Sequence, residues 1–210
     1  MDVLIGTTNP SKVQMFERML QGHGLTFLTL GDLGVFQEPQ ETGATPEENA
    51  RIKAAFYGRI HPRVICNDSG LYFAALSLDD PRQPGLHVRT PRGVRLDDEQ
   101  MIAYYAALAR SLGGRARALY LNGYAVCREG RVFSLAENDL TDETGSFDMV
   151  DRPSPQRHPG WPLDSLSIDR RTGAYFTDDA AEEAVSEAER LEAQARRARL
   201  VRFLETSLGL

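Results

Sequence analysis

TGATPEENARIKAAFYGRIHPRVICNDSGLYF, residues 42–73, is the stretch on which the reading of the chain turns. Thr45, Pro46 and Glu48 form a T-x-x-E capping box with proline at the first helical position, so a helix starts here. On that helix Asn49, Lys53 and Phe56 fall at i, i+4 and i+7, which puts an amide and an ammonium on one face. Val64-Ile65-Cys66 is a continuous apolar run, the pattern of a strand buried on both sides. It is expected to end in an acidic turn, Asn67-Asp68-Ser69-Gly70, at its carboxyl end, where open α/β sheets place their ligands. A lysine and a carboxylate converging on such a turn point to a phosphate and its metal ion.

Upstream, Val3-Leu4-Ile5 reads as a first buried strand, ended by Gly6. Thr7-Thr8-Asn9-Pro10-Ser11-Lys12 follows, with Asn9 as N-cap and Pro10 at the first helical position. Val13, Phe16 and Leu20 give this helix an apolar face, and Gly22 and Gly24 stop it. A strand-to-helix turn of this kind aims free N–H groups and the positive end of the helix dipole outward. With Thr7, Asn9 and Lys12 it makes a polyphosphate cradle; the plainer reading is a cap and nothing more. It is not a Walker A loop, since the glycines are missing. Residues 25–30 read as a second strand, followed by a polar loop carrying Glu38, Glu41 and Gly43.

Downstream, residues 77–98 are irregular and rich in proline, glycine and arginine, which marks a long ordered loop. Met101, Tyr105, Leu108 and Leu112 mark a helix closed by Gly113-Gly114. Residues 115–127 and 131–135 read as strands joined across Arg128-Glu129-Gly130, and a further strand is expected over 146–150. A second proline-rich loop, RPSPQRHPGWP, carries His158 and the sole tryptophan, Trp161, either as a core plug or as a stacking platform. Residues 178–208 read as one long helix. Its acidic first half (Glu182, Glu183, Glu187, Glu189) and basic second half (Arg196, Arg197, Arg199, Arg202) complement the helix dipole. Its expected buried seam is Leu191, Ala195, Ala198, Val201, Leu204 and Leu208.

At 210 residues the chain is expected to form one domain around one core. A net charge of −6 argues against a nucleic-acid backbone as partner. No apolar run approaches the roughly 18–20 residues that cross a bilayer. The start, MDVLIGTTNPSK, lacks a basic region followed by a long apolar core, so no signal peptide is expected. Cys66 and Cys127 sit in apolar strand-like runs and read as buried small hydrophobes in a reducing cytoplasm.

The order of these features adds to their weight. T-x-N-x-x-K after the first strand (Thr7, Asn9, Lys12), then E-T-G (Glu41-Thr42-Gly43), E-N-A-x-x-K-A (Glu48 to Ala54), D-S-G-L (Asp68-Ser69-Gly70-Leu71) and P-G (Pro84-Gly85) resemble the inosine/xanthosine triphosphate pyrophosphatase family. The resemblance is dense up to Gly85 and thin but collinear beyond. It implies an α/β fold: a long curved mixed β-sheet flanked by helices, in two lobes with a central cleft. It further implies Mg²⁺-dependent cleavage of non-canonical purine nucleoside triphosphates to the monophosphate and pyrophosphate, by a cytoplasmic homodimer. Carried across, Thr7, Thr8, Asn9 and Lys12 hold the triphosphate, and Lys53 neutralises phosphate charge. Glu41 and Asp68 bind Mg²⁺, Asp68 also activates the attacking water, and Ser69 with Gly70 offers hydrogen bonds to phosphate. Trp161 stacks on the base, Asp164 occupies the aspartate of the G-F-G-Y-D-P motif, and Arg197 stands for the arginine of S-H-R.

The departures are specific. The first of two acids before Ser-Gly is Asn67, an amide that cannot serve as a base. G-F-G-Y-D-P has become Gly160-Trp161-Pro162-Leu163-Asp164-Ser165, and S-H-R has become Ala195-Arg196-Arg197. Three readings therefore stand: the family's own reaction, the same chemistry on a modified or pathway-specific nucleotide, or a non-catalytic nucleotide-binding protein.

Overall fold

The computed structural model describes residues 1–141, 145–178 and 187–210. The hydrogen-bonded strand order is β2 (Thr26–Thr29), β1 (Asp2–Ile5), β3 (Arg63–Phe73), β4 (Arg115–Arg128), β6 (Phe147–Val150) and β7 (Ser167–Ile168), with β5 (Arg131–Ala136) beside β4, a mixed sheet. The chain divides into two compact units. The first comprises Met1–Ser69, Asn122–Asp139 and Glu192–Leu210; the second comprises Gly70–Leu121 and Leu140–Leu191.

In the first unit β1 (Asp2–Ile5) is parallel to β2 (Thr26–Thr29), with Leu4 opposite Leu28, and to β3 (Arg63–Phe73), with Ile5 opposite Ile65. The second half of β4 (Arg115–Arg128) pairs antiparallel with β5 (Arg131–Ala136), Val126 opposite Phe133. The two-residue turn between them, Glu129-Gly130, has positive φ at both positions, the mirror-image turn that suits twisted strands. Because strand side chains alternate, the sheet sorts its residues into two layers. Val3, Ile5, Ile65, Tyr124 and Val126 pack on Phe16 of α1 (Pro10–Met19) and on Leu200, Leu204 and Leu208 of α4 (Glu187–Leu208). Leu4, Val64, Cys66, Ala125 and Cys127 pack on Ala50, Ala54 and Tyr57 of α2 (Pro46–Tyr57). Each large side chain buried this way contributes about 1.5–3 kcal/mol.

In the second unit the first half of β4 pairs antiparallel with β6 (Phe147–Val150), and β6 with β7 (Ser167–Ile168), a strand too short to be seen in the sequence pattern. Met101, Ile102, Tyr105 and Leu108 of α3 (Asp98–Ser111) cover Ala116, Ala118, Phe147 and Met149. The long loop over 77–97 is tied down by side chains. Gln83 bonds the backbone of Phe73 and Leu76, and Tyr105 Oη donates to the Val88 carbonyl at 2.8 Å.

Two expectations are corrected. The acidic turn over Asn67-Asp68-Ser69-Gly70 is not a turn: β3 runs through it to Phe73. Asp68 and Ser69 are held in the strand because their hydrogen bonds are met there, Asp68 by Asn49 and Lys53 and Ser69 by Asn122. The seam expected on the last helix also differs. Leu204 and Leu208 are buried, joined by Leu200; Val201 is half-buried, and Leu191, Ala195 and Ala198 are exposed. At about 100° per residue, Leu191, Ala195 and Ala198 lie on the opposite side from the Leu200–Leu204–Leu208 stripe. Of the start expected for that helix, residues 179–186 with Glu182 and Glu183 fall outside the described residues.

Candidate functional site

The site of the first unit is built where α2 lies along β3. Thr45 Oγ1 accepts the Glu48 N–H at 3.1 Å, as the capping box requires, but Glu48 reaches the N–H of Ala44 rather than that of Thr45. One turn on, Asn49 is buried and doubly used. Its Oδ1 accepts the Gly43 N–H at 2.8 Å, and its Nδ2 donates to Asp68 Oδ2 at 3.0 Å. A further turn brings Lys53, whose Nζ lies 3.2 Å from Asp68 Oδ1 and 3.0 Å from Glu41 Oε1. Both oxygens of Asp68 are thus held, and two carboxylates converge on one ammonium that is only 13% exposed. Burial pulls the Lys53 pKa down; the charges of Asp68 and Glu41 outweigh it and leave it above the usual 10.5. Gly43 is required by close packing, since a Cβ there would lie 2.6 Å from Glu48 Cβ and 2.8 Å from Asn49 Oδ1.

The turn from β1 into α1 stands one strand away. Gly6 N–H donates to the Ile65 carbonyl at 2.8 Å, so the chain leaves the sheet level with Cys66 and Asn67. Thr7 Oγ1 accepts the Asn9 N–H at 3.2 Å, and Asn9 Oδ1 accepts the Ser11 N–H at 2.9 Å, which fixes the cap. Thr8 is exposed, and Lys12 sits half-buried on the first turn of α1. Alternation along β3 puts Asn67 with Ile65 on the α1 side and Asp68 with Cys66 on the α2 side. Asn67 is 5% exposed, and its Oδ1 has no hydrogen-bond partner.

Ser69 Oγ donates to Asn122 Oδ1 at 2.9 Å, and Asn122 Nδ2 donates to Glu137 Oε2 at 2.9 Å. In the second unit Gly70 lets β3 pass close to its neighbours; a Cβ would lie 2.9 Å from the Tyr72 ring and 3.1 Å from the Gly85 carbonyl. There too, Trp161 is 37% exposed, which excludes the core-plug reading. His158 Nδ1 lies 3.0 Å from Asp164 Oδ2. Burial pushes the Asp164 carboxyl above its usual range, offset in part by the hydrogen bond and charge of His158. Arg197 is exposed on α4 and makes no hydrogen bond or ion pair with a described residue.

Of the residues picked out in the sequence, Glu41, Lys53 and Asp68 are brought into direct contact, and Trp161 and Asp164 share one loop. Thr7, Asn9 and Lys12 are placed beside β3 by strand register. Three residues were not assigned a role beforehand. Asn49 was signalled by its spacing from Lys53; His158 stood in the loop with Trp161; Asn122 carried no local signal, because a strand asparagine reaches Ser69 only across the sheet.

Mg²⁺ takes one or two carboxylates and fills its remaining positions with water and substrate phosphate. Glu41 and Asp68 already converge on a single cation, and no cluster of three or more His, Cys, Asp or Glu occurs among the described residues. Two carboxylates side by side match the protein's share of such a shell.

Residues 3–141 match the Ham1 family. A dITP/XTP pyrophosphatase of Thermus thermophilus is 31% identical over 186 residues, 87% of this chain and 83% of that protein. A protein of the same description from Thermoanaerobacter sp. (strain X514) is 35% identical over 88 residues, 41% of this chain and 42% of the relative, so that match spans under half of the relative's length. Among solved structures, a HAM1 protein from Coxiella burnetii superposes with a TM-score of 0.69 at 18% identity, covering 98% of this chain and 99% of the other. The Staphylococcus aureus Ham1 protein gives 0.66 at 20%, with the same coverage. These likenesses establish the α/β fold. Since the matched residues include the whole of α2 and β3, with Asn49, Lys53 and Asp68, the chain belongs to the Ham1 family.

Proposed function

We propose that this protein hydrolyses a non-canonical purine nucleoside triphosphate to the monophosphate and pyrophosphate. The observation that carries the reading is the convergence of Glu41, Lys53 and Asp68, with Asn49 holding the far oxygen of Asp68. Asp68, with both oxygens positioned, takes the proton of the attacking water. The water oxygen bonds to the α-phosphorus, the bond from that phosphorus to the α–β bridging oxygen breaks, and its electrons leave with pyrophosphate. Lys53 and Lys12 offset the charge gathering on the leaving group, and the α1 N-terminus adds its free N–H groups. Glu41 and Asp68 would hold Mg²⁺, which when bound neutralises phosphate oxygens and polarises water.

The names of the relatives support a dITP/XTP-like substrate. A second reading keeps the chemistry and changes the base; it is favoured by the exposed Trp161 and by Ala195-Arg196-Arg197 in place of S-H-R. A third, binding without cleavage, is favoured by Asn67 alone. The proposal includes a homodimer in the cytoplasm with neither nucleic acid nor membrane as partner. The −6 charge disfavours a nucleic-acid backbone, and no helix among the described residues is long and apolar enough to cross a membrane; the homodimer and the cytoplasm rest on the family resemblance. Pyrophosphate release from a panel of NTPs and dNTPs, with and without Mg²⁺, tests the three readings. Release from ITP and XTP is expected. Release from another nucleotide alone selects the second reading, and binding without release the third.

A further inference from the structure

We infer that His158 is a specificity-determining residue, an acceptor for a ring N–H on the edge of a planar base stacked against Trp161. The inference rests on the proposed function for its ligand class and on the second unit for its geometry. The loop that carries both residues is fixed from beneath. Ser165 Oγ donates to the Pro162 carbonyl at 2.8 Å, Ser167 Oγ to the Leu163 carbonyl at 2.9 Å, and the Ser154 N–H to the Ser165 carbonyl at 2.7 Å. Pro162, Leu163 and Ser165 are buried, whereas the side chain of His158 is 42% exposed and Trp161 is 37% exposed. The turn is tight, since Trp161 N–H donates to the His158 carbonyl at 3.0 Å and Asp164 N–H to the Trp161 carbonyl at 3.1 Å. A rigid base thus presents a large flat ring and an imidazole three residues apart.

The imidazole is oriented as well as exposed. Asp164 Oδ2 lies 3.0 Å from Nδ1; in its ionised form that carboxylate can only accept, which places the ring proton on Nδ1 and leaves Nε2 of the uncharged imidazole as an acceptor. The neighbouring cation does not compete. Arg157 is spent on Glu99 and on the carbonyls of Ser154 and Gln156. An acceptor beside a stacking ring selects bases whose edge carries a ring N–H, as the N1–H of a 6-oxopurine does, and rejects one in which that hydrogen is replaced by methyl.

The sole tryptophan supplies a readout that does not depend on cleavage. Quenching of Trp161 fluorescence and kcat/KM are both measured with ITP and N1-methyl-ITP, on the wild type and on His158→Phe, His158→Gln and Asp164→Asn. The expected result is a preference for ITP of about tenfold, the worth of one hydrogen bond. His158→Phe abolishes the preference through KM with kcat kept, and His158→Gln, which retains an acceptor, restores part of it. Quenching with this pattern but no pyrophosphate release removes the proposed function and leaves the inference standing. Release with an undiminished preference in His158→Phe, or with no quenching, overturns the inference alone. Neither quenching nor release overturns both.

Discussion

Lys53 in the first unit and Asp164 in the second are both largely buried titratable groups, and they are held in opposite ways. At Lys53 burial works against the charge, but two carboxylates outweigh it, and the ammonium is kept charged. At Asp164 burial outweighs the one partner, His158, and the carboxyl is pushed toward its neutral form. The difference follows from the scaffolds. Lys53 and Asp68 stand on a helix and a strand whose register is fixed by the core, so their charges meet at set distances. Asp164 stands on the short 3-10 turn Pro162–Ser165 beside exposed side chains, with His158 as its ion-pair partner among the described residues. Under the proposed function, charge handling falls to regular elements and base recognition to the segment that carries Trp161 and His158.

Breaking the first arrangement gives the largest effects. Lys53→Met should lower kcat by about 10²–10³-fold, as loss of a positioned charge-stabilising group does, with Trp161 fluorescence unchanged. Gly123→Ala should be next. Its Cβ would collide with the backbone of Pro46 and Glu47 at the start of α2, and overpacking of this kind costs about 1–3 kcal/mol. Thermal unfolding checks the loss. Asn49→Ala leaves Asp68 Oδ2 and the Gly43 N–H without their partner, so a loss of about 1–3 kcal/mol is expected in urea unfolding, alongside reduced turnover.

The smallest effect sharpens the comparison through pH. A lysine whose folded pKa is raised adds stability that is complete below 10.5 and is lost as pH climbs through the raised value. A carboxyl raised by burial does the reverse of a salt-bridged acid: its contribution grows as pH falls toward the usual 3.8. The gap between the wild type and Lys53→Met should therefore be full across neutral pH and narrow as pH climbs beyond 10.5, whereas the gap between the wild type and Asp164→Asn should change as pH falls toward 3.8.

Much of the first unit was legible in the sequence, because short-range rules govern it. Asn9-Pro10 and Thr45-Pro46 announce helix starts, Val64-Ile65-Cys66 a doubly covered strand, and the Asn49–Lys53 spacing a shared face. What escaped were effects decided across the sheet. Nothing local in Asn67-Asp68-Ser69-Gly70 says that Asn49 and Asn122 will satisfy it, so it reads as a turn although it stays extended. The α4 seam failed for a related reason, since a helix of mixed small and charged residues leaves open which side the neighbouring layer will cover. In the second loop Trp161 was visible, but the Asp164–His158 contact that orients the imidazole was not.

Asp68→Asn, assayed for pyrophosphate release from ITP or XTP with Mg²⁺ while nucleotide affinity is measured in parallel, is the most direct test of the α2–β3 site. A fall in kcat of at least about 10²-fold with affinity within a few-fold of the wild type is the expected result, since the carboxylate acts mainly in the transition state. Turnover close to that of the wild type would contradict it.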